Sequence, residues 1–171
     1  MEPLYIYGGF NFIMMKNGNI NLELLKKNFE ENGIRIFPSD TDEIEAFQKK
    51  YNVEIPQDLR NYYLDINGSG NGTLNNLYEF YSIHRTKKIH EELINWKGIP
   101  DYSKLNFTGM ENVFVFGAYE FNLYAFGIKL HQNLSSETSV FILCGENFRL
   151  IANNFTEFVD LYLNRLEEIY I

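Results

Sequence analysis

The sequence predicts an α+β fold: a single domain with a mainly antiparallel or mixed central sheet, flanked by an N-terminal helix pair and a C-terminal helix. Three observations lead there. Two short amphipathic segments between Asp40 and Asn67 are joined by Ile55-Pro56, a strongly β-prone run spans Asn112 to Leu130, and a further amphipathic segment covers Asn154 to Ile169. Helices laid against a sheet bury stripes and faces of this kind together. With 171 residues, 45% of them hydrophobic, the chain can build one core without metal or disulfide staples.

Residues 1–37 read as an N-terminal extension packed on the same domain. The aromatic stretch Tyr5 to Ile13 suits a strand or an ordered arm, and Asn17-Gly18-Asn19 a turn. Asn21 can cap a helix from Leu22 to Asn32 with Leu24, Leu25 and Phe29 as its apolar positions and Gly33 as its stop.

The main domain is assigned to 38–171. Asp40 is placed to cap the next helix, with Glu43 at capping-box spacing, and Ile44, Phe47 and Tyr51 form its apolar stripe. Pro56 lacks an N–H and has φ already near helical, so it breaks that helix and starts another. Leu59, Tyr62, Tyr63 and Ile66 give the second stripe, and Asn67-Gly68 tolerates the left-handed conformation of a helix end. Gly68-Ser69-Gly70-Asn71-Gly72 is expected to be a flexible loop; it lacks the Gly-Lys-Ser/Thr of a phosphate cradle.

Leu77 to Ile83 reads as a strand and Lys87 to Trp96 as a short helix, with Asp101 to Met110 irregular. Val113-Phe114-Val115-Phe116 shows almost no polar alternation, which predicts a central strand covered on both faces. Tyr119 to Ile128 reads as the second arm of a hairpin with one more polar face carrying Asn122 and Tyr124. Val140 to Cys144 and Phe148 to Ile151 form a further pair around Gly145-Glu146-Asn147. Asn154 caps the last helix, with Glu157 at capping-box spacing and Phe155, Phe158, Val159, Tyr162, Leu166 and Ile169 on its buried stripe.

Charge narrows the partners. The net charge is −8, and the acids concentrate in residues 39–66, with seven acids against three bases, and in 111–171, with eight against three. Phosphate binding needs concentrated positive charge, so free nucleic acid is not an expected partner and a basic protein is. No stretch approaches a membrane span, and the N-terminus lacks a signal-peptide pattern, so the expected location is the cytoplasm. The 15 Phe and 12 Tyr exceed what a core alone absorbs, and rings left outside favour interfaces.

Catalytic patterns are missing from the sequence. His84, His90 and His131 lie on separate elements without metal-ligand spacing, and no serine sits in a Gly-x-Ser-x-Gly elbow. Cys144, within an apolar run, reads as a buried thiol, and Glu91-Glu92 and Glu167-Glu168 as solvated faces. No catalytic residue, metal site or cofactor is therefore assigned.

The string NVEIPQDLRNYYLDINGSGNG resembles the signature of the SUKH superfamily, the Smi/Knr-like domains, in which a helix leads through a Leu/Ile-Pro-x-Asp/Glu turn into a helix ending at Asn-Gly. The later strands and the closing helix fit the same order, so the resemblance covers residues 38 to 170. One departure is Gly117, which stands alone where many relatives carry Gly-Gly or Gly-Asp. The resemblance implies a non-enzymatic binding module: an immunity protein that neutralises a cognate polymorphic toxin, in some cases a nuclease. A regulatory scaffold with a signalling or cell-wall partner is the alternative. An enzyme with a carboxylate–histidine site stands as a third. For partner contacts, the irregular segment and the more polar hairpin face nominate Asp101, Tyr102, Tyr119, Glu120, Asn122 and Tyr124. The oligomeric state is left open.

Overall fold

The computed structural model of the chain describes residues 22–70, 74, 76–134 and 138–170. The expected Tyr5–Ile13 strand, the Asn17 turn and the Asn21 cap lie outside them. Helices α1 (Leu22–Glu31), α2 (Thr41–Tyr51) and α3 (Gln57–Asp65) come first. Strands β1 (Tyr78–Phe80) and β2 (Lys87–Lys88) and the one-turn helix α4 (Ile89–Glu92) follow. Strands β3 (Val113–Tyr119), β4 (Tyr124–Lys129), β5 (Val140–Cys144) and β6 (Asn147–Ala152) then lead to α5 (Phe155–Asn164). All strand pairs are antiparallel, in the order β1-β3-β4-β5-β6, with β2 beside β1 on the same flank of β3. The predicted α+β architecture is present.

β3 explains why the sheet has two cores. Its alternation sends Phe114 and Phe116 to the face covered by α1, α2, α3 and α5, and Val113 and Val115 to the opposite face, under α4 and the segment around Tyr102. On the helix side, aromatic rings interlock at tilted and edge-to-face angles: Tyr62–Phe155 at 4.9 Å, Phe80–Tyr162 at 4.9 Å and Phe116–Phe158 at 5.0 Å between centroids. α1 joins this core through Leu25 and Phe29. Leu24, expected on its apolar stripe, is instead exposed, because Leu25 and Phe29 at i and i+4 set the buried stripe and Leu24 lies about 100° around the helix from Leu25.

The signature helices form as read, with one shift. Asp40 accepts the Glu43 N–H at 2.9 Å as the cap of α2, but α2 ends at Asn52, in the left-handed conformation at φ 54°, before Pro56 is reached. Pro56 then stands just outside α3 as its capping residue, and Leu59, Tyr62, Tyr63 and Ile66 are all buried.

The structure corrects several other expectations. The Lys87–Trp96 helix contracts to residues 89–92, because Lys87 and Lys88 pair with Val115 and Phe114 and so begin as strand. Gly68-Ser69-Gly70 is not loose: the Ser69 N–H donates to the Phe80 carbonyl at 2.9 Å, and the buried Ser69 hydroxyl accepts the Phe80 N–H at 3.2 Å. The β3–β4 hairpin turns at Glu120-Phe121-Asn122, where the sequence pattern predicts the second strand. Gly117 lies inside β3 opposite Phe80, next to a register shift, where a Cβ would come within 2.9 Å of the Glu79 carbonyl oxygen. The β4 faces do not divide into polar and apolar, since Ala125 to Ile128 are buried on both sides. Cys144 is half-buried rather than buried, with its thiol pKa raised by the burial it does have. The last helix stops at Asn164 and continues as a 3-10 turn, Leu166–Glu168, from which Ile169 still reaches the core.

Candidate functional site

Two polar residues of the signature turn out to hold the fold together. Asp58, buried beneath the N-terminus of α3, accepts the Leu59 N–H at 2.8 Å with one oxygen. Its other oxygen accepts the Thr156 N–H at 3.0 Å and the Thr156 hydroxyl at 3.2 Å. A single carboxylate therefore serves the positive ends of α3 and α5, 98 residues apart. Asn67 at φ 58° accepts the Ile83 N–H at 2.8 Å and donates to the Phe37 carbonyl at 3.0 Å. Gly68 at φ 85° packs so closely on β1 that a Cβ would lie 2.6 Å from the Ser82 nitrogen. Asp58 thus leaves the acidic surface and joins the scaffold.

A groove of about 410 Å³ runs between α2 and the connection from β1 to β2, lined among others by Asp40, Asp42, Glu43, Lys50, Tyr51 and His84. Glu43 is one of the lining residues. It accepts the Ser39 hydroxyl at 2.5 Å and contacts His84 Nε2 at 2.7 Å, and these two bonds hold its carboxyl below its usual range. Beside it the Tyr51 hydroxyl donates to Glu91 at 2.7 Å and accepts from Lys50 at 2.9 Å. Asp40, Asp42 and Glu45 stand exposed along the same helix. Among the described residues no group of three or more His, Cys, Asp or Glu side chains is placed to hold a metal ion. His131 belongs to a different part of the molecule, where its carbonyl accepts the Glu54 N–H at 2.7 Å.

The six residues nominated for partner contact separate into two kinds. Tyr102 and Asn122 are buried, which corrects the expectation that they face solvent. The Tyr102 hydroxyl is shared between the carbonyls of Asn122, 2.9 Å away, and Leu143, 3.2 Å away, while the Tyr81 hydroxyl donates to Asn122 Oδ1 at 3.1 Å. Burial raises the pKa of both tyrosines well out of the physiological range, so both remain donors. Asp101 is exposed but turned back on its own loop, accepting the Ser103 N–H at 2.9 Å and the Ser103 hydroxyl at 3.0 Å; these bonds lower its pKa.

Glu120, Tyr119 and Tyr124 do reach the surface together. Glu120 is exposed, and the two half-buried tyrosines pack against each other and against Tyr170, whose ring centroid lies 5.4 Å from Tyr119 and 5.8 Å from Tyr124. Between them stands the residue that the sequence reading missed. Phe121 is 83% exposed at φ 54°, in a run of three left-handed residues with Glu120 at 44° and Asn122 at 65°. The only sequence signal for this turn is Asn122, since Glu and Phe are poor left-handed residues.

No curated protein matches the chain at a significant level. A family model does match, that of the SMI1 / KNR4 family (SUKH-1), over residues 38–161. That span takes in α2 and α3 with their Ile55-Pro56 and Asn67-Gly68 junctions, all six strands, and α5 through Leu161. The Asp58 and Asn67 bonds explain physically why such a signature specifies one arrangement of helices on sheet. The chain belongs to the SMI1 / KNR4 (SUKH-1) family.

Proposed function

We propose that this protein is an immunity protein: it binds one cognate polymorphic toxin in the cytoplasm of the producing cell and blocks it without catalysing a reaction. Family membership over 38–161 is the observation that carries the reading, because SUKH domains act as protein-binding modules that include such inhibitors. Surface chemistry supports it. Exposed carboxylates along α2 and at Glu120 suit a toxin whose active face is basic, as a nuclease's must be to hold phosphates. Opposite potentials raise the encounter rate, and aromatic anchors then slow dissociation. The half-buried tyrosines Tyr119 and Tyr124, together with Glu120, are the contact residues this reading uses, whereas Tyr102 holds the hairpin turn through Asn122 from the second core.

The reading expects a toxin domain to be encoded beside the gene, and the test is co-expression with it. The expected result is restored growth and a stoichiometric complex of the two purified chains, with an association rate that falls as salt rises. Growth arrest that persists despite soluble expression of this chain would refute the reading. Association with a signalling or cell-wall component in place of any toxin would favour the scaffold alternative.

A further inference from the structure

We infer that the Glu120-Phe121-Asn122 turn is a preorganised anchor, with Phe121 inserting into an apolar pocket rimmed by Lys or Arg on the partner. This rests on the proposed toxin-binding function and gives it a central residue. Three independent features of the turn agree.

Conformation comes first. A bulky L-residue at φ 54° is an outlier, and here it sits between two more left-handed non-glycines. Such a backbone persists only when its surroundings over-determine it. They do: the Glu120 N–H donates to the Leu77 carbonyl at 3.0 Å, the Leu123 N–H donates to the Glu120 carbonyl at 3.1 Å, and Asn122 is bolted to the second core by the Tyr81 and Tyr102 hydroxyls. The two buried bonds fall on Asn122, and the backbone bonds of Glu120 hold the other side of Phe121.

Exposure comes second. A ring 83% in water stabilises the free chain little, so the fold holds a strained turn rigid in order to display a side chain it does not itself bury. A rigid aromatic on a fixed backbone loses little entropy when it enters a pocket. Surroundings come third. Leu77, 41% exposed and itself left-handed at φ 66°, is bonded to the turn's backbone, and Tyr119, Tyr124 and Tyr170 stand alongside the turn. An aromatic centre with the Glu120 carboxylate at its edge matches an apolar pocket with a cationic rim.

The test measures calorimetric affinity of the full chain for the toxin domain encoded beside its gene, together with thermal unfolding of each free variant. Phe121→Ala should weaken binding about 30-fold or more, and Phe121→Gly should do so while raising the melting temperature by a few degrees. Leu134→Ala, an exposed aliphatic beyond the opposite ends of β3 and β4, should bind as the parent does. A parent chain that fails to bind overturns the functional reading and the anchor with it. A parent that binds while Phe121→Ala stays within about threefold of it overturns the anchor alone. So does a marked fall in the melting temperature of Phe121→Ala, which would make the ring structural, or an equal loss in Leu134→Ala.

Discussion

Asn67-Gly68 and Phe121-Asn122 are two solutions to one backbone problem, and they point in opposite directions. In each, a buried asparagine at φ near 60° is bonded to the core through its own polar atoms. Its neighbour differs. Gly68 turns inward, where only a residue without Cβ fits against β1, whereas Phe121 turns outward and is 83% exposed. Where a left-handed position is filled by the residue that suits it, the chain is serving its own packing. Where it is filled against preference and the side chain is displayed, the beneficiary is outside the domain.

Gly68→Ala is the largest way to break this comparison. A Cβ there meets the Ser82 nitrogen at 2.6 Å, the Tyr81 carbonyl carbon at 2.7 Å and the Phe80 oxygen at 2.8 Å, all of them backbone atoms that cannot rotate away. With the positive φ added, the expected loss is about 3 kcal/mol or more, seen as a lower urea midpoint with an unchanged slope. A loss below about 1 kcal/mol would mean that the close approach to β1 relaxes easily.

Asp58→Ala should follow in size. It removes the shared carboxylate acceptor from the Leu59 and Thr156 N–H groups at two helix starts and should cost about 2–3 kcal/mol. Amide exchange should accelerate at both Leu59 and Thr156. Acceleration at Leu59 alone would show that the link to α5 carries no weight.

These two positions also show what the sequence could and could not reveal. The stripes of α2, α3 and α5 were legible because amphipathic spacing, an acidic cap and a proline are local signals. So was β3, whose Val-Phe alternation without polar residues can only be satisfied by two covered faces. Asp58 looked like helix punctuation because its second partner, Thr156, is 98 residues away. Lys87 and Lys88 read as helix because nothing local reports that Val115 and Phe114 will pair with them. Tyr102 was assigned outward from an irregular segment, although a hydroxyl on a large ring can equally go in if carbonyls wait for it. The Glu120-Phe121-Asn122 turn was hidden for a further reason: two of its three residues contradict the conformation they adopt, so propensity argued for strand.

Phe121→Gly sharpens the comparison through its sign. Glycine removes the left-handed penalty and deletes a ring that is mostly in water, so the free protein should become more stable by about 1 kcal/mol. For a chain of this size that is about 2–4 °C in melting temperature. The same exchange read backwards at position 68 costs stability. A fall in stability for Phe121→Gly would mean that the two turns do the same work.

The smallest effect concerns Glu43, which lies in the groove beside Asp40, Lys50 and His84 and lets the comparison be made without altering any turn. Its carboxyl is held below the ordinary value of 4.5, first by the Ser39 hydroxyl and then by His84. A depressed folded pKa means that the unfolded chain takes up the proton first as acid is added. The stabilisation is therefore complete above about pH 4.5 and is lost as pH falls through the lower folded value. Glu43→Gln should accordingly lower stability by a small, constant amount across about pH 6–8, converge with the parent in acid, and so flatten part of the profile below about pH 4.5. Because the pair is largely in water, the change should be small and should shrink in high salt. If the loss at neutral pH instead matched that of Asp58→Ala, Ser39 and His84 would be holding α2 on the sheet in the manner of Asp58, and the groove would belong with the scaffold rather than with the displayed surface.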